Sequence, residues 1–221
     1  MKKLTITFDN GPFPEVTPDV LNILDDYAVK TTFFVCADGG TPLTAKAAQP
    51  AQRALLEDAQ RRGHWIGNHT LTHTVRFGAT DNANAAEDEI GTNQLLLGNL
   101  VDDRRLFRPY AGGGLLDERL LNPTVVDYIR DNGYTMVLFN SVSRDWERPD
   151  TWIDHALADI HRHDWTLTVL HDIPSGAMSR LPQFLDRVRE LGVEIVQDYP
   201  VDCVPIVRGE ITGSLAGLIR D

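Results

Sequence analysis

Asp9 and Asn10 stand side by side in TITFDNGP, where an alternating run gives way to Gly11 and Pro12. A carboxylate at a strand end can accept a proton or hold a cation, whereas the amide beside it offers only a neutral oxygen. His69 and His73, in NHTLTH, are four residues apart. That spacing puts two imidazoles on the same side of one helical turn and suits a divalent metal such as zinc. Two histidines alone would serve as readily in a core or a cap; the acids at neighbouring strand ends favour a site. His171, in VLHDIPSG, ends an apolar run, and an acid that holds it as imidazolium would make it a general acid near neutral pH. Asp145, in NSVSRDW, is the expected partner, with Asp172 left to cap a turn. Arg108, in FRPYAGGG, follows another apolar run and is placed to pair with an inward carboxylate such as Asp9.

These residues need a scaffold that gathers them, and the chain's periodicity supplies one. Strands are predicted at 5–8, 31–35, 64–67, 106–110, 135–140, 166–170 and 194–196. Helical spacing falls between them, from Thr17 to Ala28 with Pro18 in the first turn, at 45–62 with a break near Pro50, and at 87–100, 123–132, 149–163 and 181–191. Such alternation implies a parallel sheet, because each parallel crossover needs a helix. No Pro-, Gly- or Ser-rich linker divides the chain, so residues 1–221 read as a single α/β domain. A closed or nearly closed β/α barrel is expected, with an open doubly wound sheet second. In either, catalytic groups gather at the carboxyl ends of the strands, where Asp9, His69, Arg108, Asp145 and His171 all fall. Stretches 39–42 and 111–114 read as loops, and 205–221 as a C-terminal tail that could pack as a terminal segment.

Bulk properties narrow the partners. A hydrophobic fraction of 42% over 221 residues suffices for one substantial core. A net charge of -11 argues against nucleic acid, and the apolar runs are far too short to cross a bilayer. Cys36 and Cys203 are too few for a disulfide framework and are expected to pack as small apolar groups. The first strand begins within a few residues of Met1, leaving no room for a secretory signal, so a cytoplasmic location is expected.

Together the segments TFDNGP, NHTLTH, FRPYAGGG, NSVSRDW and VLHDI, in this order from Thr7 to about Asp172, resemble the polysaccharide deacetylase family, also called the NodB-homology or carbohydrate esterase family 4 domain. The resemblance implies a distorted (β/α)7-type barrel and a hydrolase of non-peptide carbon–nitrogen bonds. It also implies a carbohydrate or other small-molecule substrate, typically an N-acetylated amino sugar, and a divalent metal. Residue by residue, it implies Asp9 as general base, His69 and His73 as metal ligands, and Arg108 as the group that orients the base. It further implies Asp145 as partner of the acid and His171 as the acid itself. A backbone N–H near Tyr110 would join the oxyanion hole, and Trp146 would lie beside the substrate.

This chain departs from the pattern at three places. Asn10 stands where the family carries a ligand Asp, so the metal site loses a negative charge and keeps at best a weak ligand. Val142 and Phe139 replace the first Asp and the Trp of the fourth segment, and RPYAGG replaces the usual RPPYG. Two alternatives follow: a metal-independent hydrolase of a formamide or cyclic ureide, and a non-catalytic carbohydrate-binding descendant. Retention of Asp9, Arg108, Asp145 and His171 favours an enzyme. Loops 39–50 and 74–86, expected to shape the pocket, carry no recognisable substrate code.

Overall fold

Alternation along KLTITFD builds the strand on which the rest is assembled. In the computed structural model, which describes residues 1–37 and 46–220, the elements follow in this order: β1 (Lys3–Asp9), α1 (Thr17–Asp26), β2 (Thr32–Val35), α2 (Pro50–Arg61), β3 (Trp65–Asn68), α3 (Thr92–Leu97), β4 (Leu106–Phe107), α4 (Pro123–Asp131), β5 (Thr135–Met136), β6 (Ser141–Val142), α5 (Trp152–Arg162), β7 (Trp165–His171), α6 (Leu181–Glu190), β8 (Glu194–Ile195), β9 (Ile206–Val207) and β10 (Glu210–Ile211). Leu4, Ile6 and Phe8 on one face of β1 join the apolar residues of α1, α2, α5 and α6 in the largest core cluster. The opposite face presents Thr5, Thr7 and Asp9 to the interior of the sheet. Four helices, α1, α2, α4 and α6, carry Pro in the first turn, where its missing N–H costs nothing. α4 is also capped by Asn122, whose side chain accepts from the Val125 N–H at 2.9 Å.

The sheet runs β10-β9-β5-β4-β3-β2-β1-β7-β6, with β8 added to β1. Strands β1 to β7 are parallel wherever they pair. Read as a ring, they follow chain order and break only between β5 and β6, which is a distorted (β/α)7-type barrel open at one seam. The seam corrects the strand predicted over 135–140: residues 137–140 pass from β5 to β6 without a helix. Their polar groups are satisfied otherwise. Asn140 bridges to β7, accepting from Leu167 N at 2.7 Å and donating to Trp165 O at 3.0 Å. The helix predicted at 87–100 is interrupted: a wide π-type turn, Glu87–Gly91, precedes α3, and a tighter turn, Gly98–Leu100, follows it. The strand at 194–196 is not the last, because the tail adds the antiparallel β9–β10 pair. Leu215, Leu218 and Ile219 of that tail pack beside α4. Cys36 and Cys203 are both buried. The loop at 39–42, and the parts of 39–50 and 45–62 before residue 46, lie outside the described residues. No helix among the described residues is long and apolar enough to cross a membrane.

Candidate active site

β1 and β7 are in register along their length, and their last pair is Asp9 with His171. The inward face of each strand therefore ends in a titratable group, one acid and one imidazole on neighbouring strands.

Arg108, fully buried just after β4, holds Asp9. One terminal nitrogen donates to Asp9 Oδ1 at 2.7 Å and to Thr7 Oγ1 at 2.8 Å. The remaining donors reach the segment that follows β5, Nε to Val137 O at 3.1 Å and the other terminal nitrogen to Leu138 O at 3.2 Å. The guanidinium lies 4.0 Å from the centre of the Phe34 ring, a stacking that lysine could not reproduce. Phe34 in turn needs Gly67 opposite it, since a Cβ there would come within 2.5 Å of the ring. Burial alone would raise the Asp9 pKa. The charges of Arg108, His69 and His171 outweigh it, so the carboxyl falls below its usual value and Asp9 is anionic across the neutral range.

His171 is braced in the same manner. Its Nδ1 lies 2.9 Å from Asp145 Oδ1, and its backbone N–H donates to Asp145 Oδ2 at 2.8 Å. Ser143 completes the buried cluster by donating to Asp145 Oδ1 at 3.2 Å. Burial opposes the imidazolium, but Asp145 and Asp9 prevail, and the His171 pKa is raised above 6.5. With Nδ1 committed to Asp145, Nε2 is the nitrogen left for chemistry. Trp146 meets the ring edge-on at a centroid distance of 4.8 Å.

The histidine pair is arranged otherwise than its spacing predicts. His69 and His73 are not on a helix; they flank a bend in which Thr70 and His73 have φ of 68° and 55°. Side chains hold the bend: Asn68 Oδ1 accepts from Thr70 N at 3.0 Å, and Glu89 accepts from Thr72 N and Oγ1 at 2.9 and 2.6 Å. The rings still meet, at 4.8 Å between centroids. His69 Nδ1 is 2.8 Å from Arg108 O, which fixes the tautomer and leaves Nε2 facing Asp9 Oδ2 at 3.4 Å. Burial lowers the pKa of both; for His73, with the charge of His69 adding, it falls to about 3. Tyr110 packs on His73 at 4.4 Å between ring centres.

Asn10 leaves the strand at φ 75°, with its N–H donating to Phe34 O at 3.1 Å. Lys46 donates to its backbone carbonyl, and its side-chain oxygen lies 3.8 Å from Cys36 Sγ.

Asp9, Asn10, His69, His73, Tyr110, Trp146 and His171 all open onto one cleft of about 260 Å³. Arg108 and Asp145 stand behind it. The far wall is apolar, from Phe139, Val142, Val169 and Ile173. Sequence reasoning missed Thr7, Phe34 and Glu89 as supports; only the inward register of β1 and β2 could have pointed to the first two. It also read Asp172 as a turn cap. Instead, Asp172 is fully buried and accepts from Thr17 Oγ1 at 2.5 Å.

A family model described as polysaccharide deacetylase matches residues 1–137. Over 202 residues the chain is 27% identical to a peptidoglycan-N-acetylglucosamine deacetylase of Bacillus cereus, covering 88% of this chain and 85% of that protein. Over 178 residues it is 30% identical to a chitooligosaccharide deacetylase of Bradyrhizobium, covering 77% and 71%. Among solved structures, a family 4 carbohydrate esterase pseudoenzyme from Bacillus anthracis shares the fold with a TM-score of 0.69 at 20% identity, over 88% of this chain and 63% of that one.

Proposed function

Since the chain belongs to the polysaccharide deacetylase family, we propose that it removes the acyl group from an N-acylated amino sugar, with Asp9 as general base and His171 as general acid. The observation that carries this reading is the pair of braces, Arg108 on Asp9 and Asp145 on His171, at the end of two adjacent strands in one cleft.

Deacetylases of this family typically depend on a divalent metal, so the donors need testing against one. His69 offers Nε2, and His73 stays neutral. The third donor is a neutral amide, and Asp9 is committed to Arg108. Among the described residues no three His, Cys, Asp or Glu side chains are grouped to hold an ion. This donor set does not fit the family's metal.

Asp9 accepts a proton from water as the water oxygen attacks the amide carbon. The carbonyl oxygen becomes an oxyanion, for which the Tyr110 N–H is available; it makes no hydrogen bond among the described residues. His171 then gives its Nε2 proton to the nitrogen, the C–N bond breaks, and an amine and a carboxylic acid leave. The apolar wall of Phe139, Val142 and Val169 suits the acyl methyl.

Acetate release from N-acetylated chitooligosaccharides and peptidoglycan fragments tests the reading, with Asp9→Asn and His171→Ala as controls. Release that both substitutions abolish supports it. Binding of the same sugars with no release supports the second reading, a non-catalytic sugar binder, which Asn10 favours.

A further inference from the structure

Beyond the base and the acid themselves, β1 and β7 run on into Gly11, two residues past Asp9, and Asp172, one past His171. Asp9 and His171 are register partners, so Gly11 and Asp172 emerge together just past them. Asp172 is fully buried. Thr17 Oγ1 donates to its Oδ2 at 2.5 Å and accepts from the Phe13 N–H at 2.8 Å. One chain of hydrogen bonds thus ties the end of β7 to the turn after β1 and to the first residue of α1.

The fit at Gly11 is close. A Cβ on that glycine would fall 2.1 to 2.3 Å from the three carboxyl atoms of Asp172, so the carboxyl occupies the space that any other residue at position 11 would need. Its Oδ1 has no partner among the described residues. A buried oxygen left unpaired costs stability, and a side chain there only to fill space would be apolar.

We propose that Asp172 is a positioning residue: its carboxyl, seated against Gly11 and hydrogen-bonded by Thr17, sets the turn that carries Asp9 and Asn10 at a fixed distance from His171. As a statement about catalysis it rests on the assignment of Asp9 and His171 above; as a statement about the turn it does not. The carboxyl faces Lys46 and His171 as its charged neighbours, and burial pushes its pKa up to about 7, so it fills this seat largely without charge on the acid side of neutrality.

The test uses four single variants of the full chain, Thr17→Val, Thr17→Ser, Asp172→Ala and Gly11→Ala, and the double variant Gly11→Ala/Asp172→Ala. Amide hydrogen exchange at residues 10–17, thermal unfolding and acetate release from an N-acetylated chitooligosaccharide are measured on each. Thr17→Val should speed exchange through the turn and lower kcat about tenfold with KM little changed, in line with the cost of small misplacements in a reacting geometry. Thr17→Ser should restore both. Gly11→Ala should lower Tm sharply in the wild-type background and far less alongside Asp172→Ala, because the clashing carboxyl is then gone. Equal Tm losses in the two backgrounds, or Thr17→Val with wild-type exchange, would overturn the proposal. Exchange and Tm read the clamp even on a chain that releases no acetate. Failure of the clamp is thereby distinguishable from failure of the deacetylase reading.

Discussion

The two halves of the cleft are built to different standards. On the β1–β7 side each member of the pair is braced: Asp9 by Arg108, His171 by Asp145, and Asp145 by Ser143 and a backbone N–H. On the histidine side two imidazoles whose pKa burial lowers share the cleft with an amide, and among the described residues no third His, Cys, Asp or Glu is grouped with them to hold an ion. On the proposed reading, proton transfer and ion binding are therefore separable here, and the braced residues are those assigned to the first.

The sharpest way to break this comparison is to remove the couple. Asp9→Asn and His171→Ala should each lower the rate of acetate release by roughly 10²- to 10⁴-fold, the usual worth of a positioned acid or base; retention of turnover would transfer the chemistry to the other half. Next, Arg108→Met leaves the Asp9 charge buried and unanswered, which should cost about 3–5 kcal/mol of stability, read by denaturant unfolding at neutral pH. A smaller effect is expected of Asp145→Asn on the pH profile. His171 must be protonated to act and its pKa is raised, so wild-type kcat/KM should fall as pH rises through that raised value. The variant's alkaline limb should lie at lower pH. The stability gained from the His171–Asp145 pair follows the same sign: present below 6.5, it is lost as pH rises through the folded value, and the variant should lack that dependence.

The other half is tested by addition. Asn10→Asp restores a carboxylate beside His69 and His73 and should raise zinc affinity at least about tenfold, on the scale by which even outer-shell changes move metal binding, measured by calorimetric titration. Stoichiometric zinc already held by the wild-type chain would erase the distinction between the halves. The smallest change belongs to His73→Ala: turnover without added metal should move less than about threefold, within what loss of its packing on Tyr110 explains.

Where the sequence was informative, the reason is local. Asp9 ends a run whose alternation fixes which side chains turn inward, and an inward carboxylate needs a cation, so its pairing with Arg108 was legible from position alone. His171 with Asp145 was legible because an apolar run leaves an imidazole few other partners. The histidine pair was misread in its geometry: spacing of four suggests a helix, but the bend at Thr70 and His73 depends on Asn68 and Glu89, the latter from a distant segment. The 135–140 run reads as one strand because its residues are mostly apolar, while the break depends on Arg108 taking the Val137 and Leu138 carbonyls and on Asn140 bonding across to β7. Asp172 was misplaced because nothing local shows that Gly11 lies against it. The tail carried no pattern of its own because its packing is against α4 and its hairpin pairs with β5.

The guanidinium of Arg108 ties β1 to the β5 side of the place where the ring of strands does not close. The bonds it gives to Val137 and Leu138 stand in for a missing strand neighbour, and the bond it gives to Asp9 orients the proposed base. A fluctuation that draws residues 137–138 away therefore also loosens the hold on the carboxylate, so any activity that rests on Asp9 should fall when the sheet loosens at this point, before the helices around it unfold. Heat or denaturant would silence the cleft first and melt the fold second.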